Sequence, residues 1–399
     1  MRAPVVLFGA CDRHNFGDLL LPHVAAALLA AEHVVYAGLA ERDLRVHGGH
    51  AVAALSRLAA GWGEHAPILI HVGGEMLTCS AWQAAVMLLP PGEARDTIAY
   101  FEHRPREQRS WVRDMLGSDA RAPYAATRRT IRGLAGVAYC GVGGVALDRV
   151  DAALRGEVLA GLRSADAVTV RDRQTLAHLA AAGIQAQLIP DPAVMVAELF
   201  ADRIRAHGSV GEVAEVLRAF PRGYIAVQFS AEFSDDRSLQ QIALQLNQVT
   251  AAHGLGVVLF RAGAAPWHDD LAGLGKVAAR LRAGTVRMFA SLDLWDICAL
   301  LAHGRGYCGS SLHGRIVAMA YALPRVNFGH VVGTGTVSKQ AAYAATWDEA
   351  GMPAEVDLCD IAAAVHLSLA AGHDQLRYTA RRLPALCRRG FAEICAALK

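Results

Sequence analysis

The chain has 399 residues, of which 53% are hydrophobic, and its 39 Lys and Arg residues nearly balance its 37 Asp and Glu residues, for a net charge of +2. This balance excludes the strongly basic field with which a protein attracts nucleic acid or an anionic membrane surface. No run of about 18 strongly apolar residues is present, so we expect no transmembrane helix.

The N-terminus and the cysteines indicate the compartment. The first residues lack the apolar core and the cleavage site of a signal peptide, so we expect a cytoplasmic protein. The eight cysteines are scattered without a C-x-x-C pair, which predicts reduced thiols and no zinc site. We expect no other metal and no redox cofactor.

Short β-branched runs alternate with amphipathic stretches of about a dozen residues, and this alternation predicts a parallel α/β fold. In the first half we predict strands at Val5–Phe8, Val34–Tyr36, Ile68–Val72, Val137–Cys140, Ala167–Val170 and Ala186–Ile189. In the second half we predict strands at Tyr224–Phe229, Val257–Arg261, Val286–Phe289, Gly306–Cys308 and Arg325–Phe328. The predicted helices between them include Leu19–Ala31, Thr175–Ala182, Ser238–Ala252, Leu292–His303 and Leu312–Leu323.

The two series of strands predict two Rossmann-like domains that face each other across a cleft. We place an N-terminal domain, a polar helical connector, a C-terminal domain and a C-terminal helix that packs back at residues 1–197, 198–220, 221–372 and 373–399. An insertion at about 90–133 breaks the alternation and carries nine arginines among aromatic residues. It is either a solvated helical excursion or an element that closes over the cleft and grips an anionic acceptor.

Ligands of open α/β sheets bind at the carboxyl ends of the strands, so the turns there hold the candidate site residues. After the first strand, Asn15 and Asp18 can cap the next helix, and Gly17 permits a tight turn. Gly73 and Gly74 follow the third strand and allow close approach of a ligand to the backbone. The alternative reading of the first turn is a capped strand–helix connection with no further role.

Three further turns carry charged residues or glycine. Gly143 belongs to the Gly-rich turn after the fourth strand. After the fifth strand, Asp172 can cap the next helix and leave Arg171 to bind a carboxylate or phosphate, although a salt bridge within the turn is an alternative. Asp191 lies in a rigid Pro-Asp-Pro turn and is either architectural or a base. Arg261 ends a strand as a candidate phosphate partner, and Asp293 lies in a turn as a candidate helix cap.

The turn near the end of the second series carries the clearest chemical signal. Ser310 and Ser311 stand where a helix begins, and backbone N–H groups at a helix start attract anions. His313 and Arg315 follow in the first turn, so a proton carrier and a fixed cation accompany this anion site. The combination suits an enzyme that acts on a phosphorylated or carboxylated small molecule.

Taken in order, these motifs resemble the polysaccharide pyruvyl transferase family over roughly residues 1–330, with 90–133 and the C-terminal helix unmatched. The matching elements are Asn15-x-Gly17-Asp18-x-x-Leu21, Gly73-Gly74, Gly141–Gly144, Ala165-Asp166-Ala167 with Arg171-Asp172, Leu176, Leu179 and Gly183-Ile184, Pro190-Asp191-Pro192, and Gly309–Gly314 through Pro324. The resemblance implies a GT-B-like fold and transfer of a pyruvyl group from phosphoenolpyruvate to hydroxyls of a sugar or glycoconjugate, as a ketal. Many family members carry Arg-Leu-His where this chain has Ser311-Leu312-His313.

The resemblance also implies roles for the site residues. Arg171 and Arg315, with the helix start at Ser310–Ser311, would bind the donor's carboxylate and phosphate. His313 would act as general acid or base, and Asp18 or Asp191 would activate the acceptor hydroxyl. The alternatives are a GT-B glycosyltransferase that uses a nucleotide sugar and a ligand-binding member of the fold without catalysis; acceptor, ketal linkage and oligomeric state are left open.

Overall fold

A computed structural model describes residues 3–29, 31–61, 66–329 and 337–399. By its internal contacts the chain divides into two compact units. The first unit comprises Met1–Pro192 and Ala385–Lys399, and the second comprises Ala193–Pro384. Each unit contains a largely parallel β-sheet with helices, as the alternating pattern predicts. Within the described ranges no helix combines the length and the apolar character needed to cross a lipid bilayer.

The strands and helices of the first unit alternate along the chain. They are β1 (Val5–Phe8), α1 (Phe16–Leu29), β2 (Val34–Gly38), β3 (Arg42–Asp43), β4 (Ala51–Ala54), α2 (Leu55–Gly61), β5 (Ile68–His71), α3 (Ala81–Met87), α4 (Pro91–Phe101), α5 (Pro105–Leu116), β6 (Gly136–Val142), α6 (Ala152–Arg163), β7 (Ala167–Val170), α7 (Arg173–Ala181) and β8 (Gln187–Leu188). The seven residues of β6 are all buried, as expected of a central strand covered on both faces.

The sheet of the first unit has the strand order β3-β4-β2-β1-β5-β6-β7-β8. Its pairs are parallel except β3 with β4. The chain runs outward from β1 through β2 on one side and returns to β5 on the other, so the strand order reverses between β1 and β5. Such a switch point opens a crevice at the carboxyl ends of the strands, where ligands of this fold class bind.

The second unit repeats the alternation. Its elements are α8 (Val196–Leu199), α9 (Ala201–Gly208), α10 (Gly211–Ala219), β9 (Tyr224–Gln228), α11 (Asp236–His253), β10 (Gly256–Leu259), α12 (Leu271–Ala278), β11 (Val286–Met288), α13 (Leu294–His303), β12 (Gly306–Gly309), α14 (Leu312–Ala320), β13 (Arg325–Phe328), α15 (Lys339–Trp347), β14 (Glu355–Val356), α16 (Ile361–Leu369) and α17 (His373–Ala397). The strand order is β11-β10-β9-β12-β13-β14 with parallel pairing, so the switch point lies between β9 and β12.

The predicted strands match the observed ones within a few residues, and the misses are the short strands β3, β4 and β14. β3 and β14 have two residues each, which is too short for a periodic apolar signal. β4 was also missed, because its Ala-rich sequence carries few β-branched residues. α1 starts at Phe16, three residues before the predicted start, because Asn15 supplies a cap there.

The insertion packs against the first unit through its aromatic residues. The ring of Trp111 lies 5.7 Å from that of Trp82 and 5.4 Å from that of Phe101, on neighbouring helices. Tyr124 is 1% exposed, whereas Tyr100 is 52% exposed. Most of the arginines of this segment are exposed. This arrangement favours the solvated helical excursion over an element that grips an acceptor.

The end of α17 packs on the first unit. A Cβ atom on Gly136 of β6 would lie 2.8 Å from the side chain of Leu398, and Gly390 is in similarly close contact with Ile189. The absence of side chains on both glycines therefore lets the helix approach the sheet. The last turns of the chain thus complete the unit that the first residues begin.

Candidate functional site

Two strand-end loops of the second unit are joined by hydrogen bonds at its switch point. The Ser310 hydroxyl, after β12, accepts from the backbone N–H of Ser230, after β9, at 2.9 Å. The backbone N–H of Ser311 donates to Oε1 of Gln228, the last residue of β9, at 2.9 Å. These bonds tie the loops of two adjacent strands where the strand order reverses, so the crevice of this sheet is lined by defined polar groups.

The helix α14 begins at this crevice. Ser311 is its N-cap, and the Ser311 hydroxyl accepts from the backbone N–H of Gly314 at 3.2 Å. His313 is the second residue of the helix, and its side chain is 8% exposed, as is that of Ser310. The turn therefore combines a capped helix N-terminus, where the helix dipole favours anions, with an imidazole in the same turn.

Side-chain amides hold this turn in place. Asn327 Nδ2, on β13, donates to the carbonyl of Gly309 at 2.7 Å, and Gln340 Nε2, on α15, donates to the carbonyl of Ser310 at 2.5 Å. The hydroxyl of Tyr307 accepts from the N–H of Ser311 at 2.9 Å. Because its carbonyls and one N–H are bonded to elements of the sheet and to α15, the turn is rigid and preorganised.

The structure corrects the predicted role of Arg315. We expected it to bind the donor, but it is 0% exposed. Its Nε donates to Asp348 Oδ2 at 2.8 Å, and its two terminal nitrogens donate to Asn327 Oδ1 and to the carbonyls of Ala354 and Pro353 at 2.8–3.2 Å. Arg315 therefore points into the interior of the unit, where it holds α14 against the chain around Asp348.

Asp269, in the loop between β10 and α12, is a residue that sequence analysis missed. Its Oδ1 accepts from Gln228 Nε2 at 2.5 Å, and its Oδ2 accepts from the backbone N–H groups of Ala262 at 2.5 Å and Gly263 at 3.4 Å. The side chain is half-buried, and burial raises the pKa of this carboxyl to about 7. The adjacent pair Asp269-Asp270 was a usable sequence signal. One aspartate is enough to cap α12, and Asp270 does so, which leaves Asp269 for another role.

Arg261 lies close to this carboxyl and is half-buried. Its Nε is inaccessible to solvent and has no hydrogen-bond partner among the described residues. Its positive charge lowers the pKa of Asp269, against the larger effect of burial. Arg261 is therefore a cation at the carboxyl end of β10, next to β9 in the sheet, with hydrogen-bonding capacity for an anion.

The first unit brings two of the predicted loops together at its own switch point. Asn15 Oδ1 accepts from the backbone N–H groups of Gly17 at 3.1 Å and Asp18 at 3.4 Å, so Asn15 caps α1. Gly73 and Gly74, after β5, have φ angles of 97° and 87°, which favour glycine. Asp18 Oδ1 would lie 3.4 Å from a Cβ atom on Gly74, so the two loops meet. Gly17 is not among the glycines of positive φ, which corrects its predicted role in a tight turn.

The structure corrects the predicted roles of Arg171 and Asp191. Arg171 is 1% exposed; its Nη2 lies 2.7 Å from Glu75 Oε2 and its Nη1 lies 3.0 Å from Oδ2 of Asp191, which is fully buried. A Cβ atom on Gly143 would collide with Glu75 and lie 2.8 Å from Arg171, so glycine is required there for this triad to form. Because each side chain is engaged inside the unit, we no longer assign Arg171 to the donor or Asp191 to base catalysis.

A second buried polar group stands after β1. Asp12 Oδ2 accepts from the backbone N–H groups of Leu39 at 2.7 Å and Ala40 at 3.0 Å, after β2, and Arg13 Nη1 donates to the hydroxyl of Tyr124 at 2.5 Å. Burial raises the pKa of Asp12. Sequence analysis passed over this pair, although two charged residues directly after a buried strand are a usable signal. The group ties the first turn to β2 and to the insertion.

One further group of potential ligand atoms lies in the second unit. His207, Asp293 and Asp296 place their side-chain donor atoms within 4.8 Å of one another. These atoms already serve the protein, because Asp293 caps α13, as its sequence position suggested, and His207 Nδ1 lies 2.6 Å from Asp296 Oδ1. The arrangement fixes α9 against the start of α13.

The comparison with known families identifies the same part of the chain. Residues 144–330 match the family described as polysaccharide pyruvyl transferase. The resemblance inferred from the motifs is thereby confirmed over this range, which contains Arg261 and the turn with His313. The motifs at residues 15–18 and 73–74 lie outside it. A comparison with curated protein sequences gives no match.

Solved structures with similar folds are sugar enzymes. The UDP-N-acetylglucosamine 2-epimerase from Rickettsia bellii has 11% identity and a TM-score of 0.53, with 99% of this chain and 97% of that chain covered. The α,α-trehalose 6-phosphate synthase from Burkholderia multivorans has 11% identity and a TM-score of 0.54, with 100% and 98% covered. These likenesses concern the fold alone, and they confirm the GT-B-like α/β fold class.

Proposed function

We propose that this protein is a pyruvyl transferase that moves the pyruvyl group of phosphoenolpyruvate onto hydroxyls of a sugar or glycoconjugate as a ketal. The observation that carries the proposal is the family match over residues 144–330, which includes the turn where His313 follows the capped start of α14. That turn has the two features the reaction needs, an anion site and a proton carrier. No metal or redox step is required.

The donor is a small molecule with a carboxylate and a phosphate, and the second unit offers partners for both. The N-terminus of α14 attracts one anionic group through its backbone N–H groups. Arg261, whose Nε has no hydrogen-bond partner among the described residues, is our choice for the other. This assignment replaces Arg171 and Arg315, which are engaged in buried ion pairs. It offers the donor a cation in a chain that has Ser311 where many family members carry Arg.

The chemistry begins when the methylene carbon of phosphoenolpyruvate takes up a proton. The neighbouring carbon then becomes an oxocarbenium centre, and a sugar hydroxyl adds to it. Inorganic phosphate leaves, and a second hydroxyl closes the ketal. We assign the acceptor's proton to His313, a role typically worth 10²–10⁴-fold in rate. Activation of an acceptor hydroxyl by Asp18, which is half-buried in the first unit, stays a prediction.

The test is phosphate release from phosphoenolpyruvate in the presence of candidate sugar acceptors. We expect release that depends on the acceptor, together with a product heavier than the acceptor by one ketal-linked pyruvyl group in mass spectrometry. His313→Ala should lower turnover by at least 100-fold while the protein stays folded. The matched control is His366→Ala, on the exposed side of α16, which should leave turnover unchanged.

Two other results would favour the alternative functions. Turnover of a nucleotide sugar, or a thermal shift with UDP or GDP but none with phosphoenolpyruvate, would replace the proposal with a GT-B glycosyltransferase. Binding of phosphoenolpyruvate without any product would leave a ligand-binding protein. Full turnover by a folded His313→Ala variant would remove the assignment of that residue.

A further inference from the structure

Asp269 occupies a position that the proposed reaction does not yet use. It lies in the loop after β10, one strand away from the switch point, and it shares the crevice with Gln228 and Ser311 through hydrogen bonds. As a residue, Asp269 is half-buried rather than buried, so it keeps some exposed surface. A carboxyl group at an anion site is unexpected, because two negative charges at close range repel each other unless one takes up a proton.

We propose that Asp269 is a second proton-transfer residue of this site and protonates the methylene carbon of the donor. This inference rests on the proposed function. Two residues then transfer protons in the reaction. Asp269 supplies the proton that the donor takes up, and His313 receives the proton that the acceptor hydroxyl loses.

The hydrogen bonds define how the carboxyl is held. The N–H of Ser311 must donate, so the atom of Gln228 that faces it is the amide oxygen, and Gln228 therefore turns its NH₂ toward Asp269 Oδ1. Two backbone N–H groups fix Oδ2. Oδ1, which has a single donor, keeps a lone-pair direction that can carry a proton. Gln228 thereby connects Asp269 with the turn that begins α14.

The charged and titratable groups around Asp269 come from two strands and its own loop. Arg261 follows β10 and interacts with Asp269 electrostatically, and so does the hydroxyl of Tyr307 on β12. Within the loop, the neighbours are His268, whose Nδ1 lies 3.1 Å from the carbonyl of Pro266, and the cap residue Asp270. Burial is the largest influence on Asp269 and leaves its pKa at about 7, so the acid form is well populated near neutral pH.

The step is balanced. The π electrons of the enol take the proton from Asp269, which leaves a carboxylate on the protein and an oxocarbenium centre on the donor. The acceptor oxygen bonds to that centre, and its proton passes to His313. When the bond to phosphate breaks, the phosphate carries its electron pair away. The second acceptor hydroxyl then adds to the same carbon and releases its proton to solvent. His313 passes its proton to the departing phosphate, and Asp269 recovers a proton from solvent before the next cycle.

The experiment compares Asp269→Asn with Asp270→Asn, the same isosteric change one residue along. Asparagine still caps a helix, so the Asp270 variant should keep turnover within threefold. The Asp269 variant should lose 10²–10⁴-fold in turnover, with less than a tenfold change in the KM for phosphoenolpyruvate. Asp269→Glu should recover part of the loss.

The pH profile separates an acid from a structural residue. In the wild type, turnover should fall about tenfold per pH unit above about 7, because the acid form of Asp269 is lost there. The Asp269→Asn variant should lack that fall. Turnover of Asp269→Asn within tenfold of the wild type, or the same fall in it, overturns the inference. If Asp269→Asn does not fold, a flat wild-type profile between pH 6 and 9 overturns it. A wild type that releases no phosphate from phosphoenolpyruvate refutes the proposed function itself, and this inference with it.

Discussion

Arg171 and Asp191 are partners of each other: Nη1 of the arginine lies 3.0 Å from Oδ2 of the aspartate, and both side chains are buried. In the sequence they stand at the ends of different strands and suggest two separate functional roles. In the fold they meet beside Glu75 and balance their charges inside the first unit. A buried ion pair of this kind makes removal of one member costly, because the other charge is left without compensation.

Arg171→Met should lower the free energy of unfolding by about 3–5 kcal/mol, because it leaves the buried carboxylate of Asp191 and the half-buried carboxylate of Glu75 without their cation. Urea unfolding followed by tryptophan fluorescence measures the change. The control is Arg45→Ala, which breaks the exposed pair of Arg45 with Asp43 and should leave the free energy of unfolding nearly unchanged. Equal effects of the two substitutions would contradict a structural role for Arg171.

Asp348→Ala should destabilise the second unit by about 3–5 kcal/mol. Asp348 is the shared carboxylate of Arg315 and Arg325, both fully buried, so the substitution leaves two guanidinium groups in the interior. Asp236→Ala is the control, because Asp236 is largely exposed and pairs with Arg280 at 3.5 Å on the surface. Calorimetry of the purified variants gives the comparison, and an Asp348 variant as stable as the control would disprove this account.

The buried imidazole of His71 should make the folded protein less stable in acid. Burial lowers the pKa of its imidazole to about 4, below the ordinary value of 6.5. As pH falls from 6.5 to 4, the unfolded chain takes up a proton that the folded chain resists, so the folded state loses about 3 kcal/mol through this group. Urea unfolding at several pH values should show a shallower decline for His71→Gln, which has no titratable group. Parallel curves for the two proteins would rule out this contribution.

Ser311→Ala should cost about 1 kcal/mol, because it removes the side-chain cap of α14 while the backbone bonds of Ser311 to Gln228 and Tyr307 stay. Thermal unfolding measures the change. Ser230→Ala is the matched control, since Ser230 starts a short 3₁₀ turn without a side-chain cap bond. If both variants unfold at the wild-type temperature, the cap contributes nothing to stability.

The predictions that succeeded concern features that short stretches of chain determine. Strand periodicity located β1, β7 and β13 to the residue. Asp172 and Asp293 cap their helices as their positions suggested, because a cap bonds to N–H groups two or three residues further on. The turn before α14 was identified for the same reason, since its serines, histidine and helix start are adjacent in the chain.

The sequence by itself therefore determined the alternating α/β elements, the helix caps and the turn that carries His313. Only the tertiary structure decided which charges are available to a ligand. Arg171 meets Glu75 across 96 positions and Arg315 meets Asp348 across 33, whereas Arg261 keeps an Nε with no hydrogen-bond partner among the described residues. Asp269 acquires its raised pKa from burial in a crevice built by three strands. The reason is one of range: caps and periodicity arise within a few residues, but ion pairing and desolvation depend on which distant segments folding brings together.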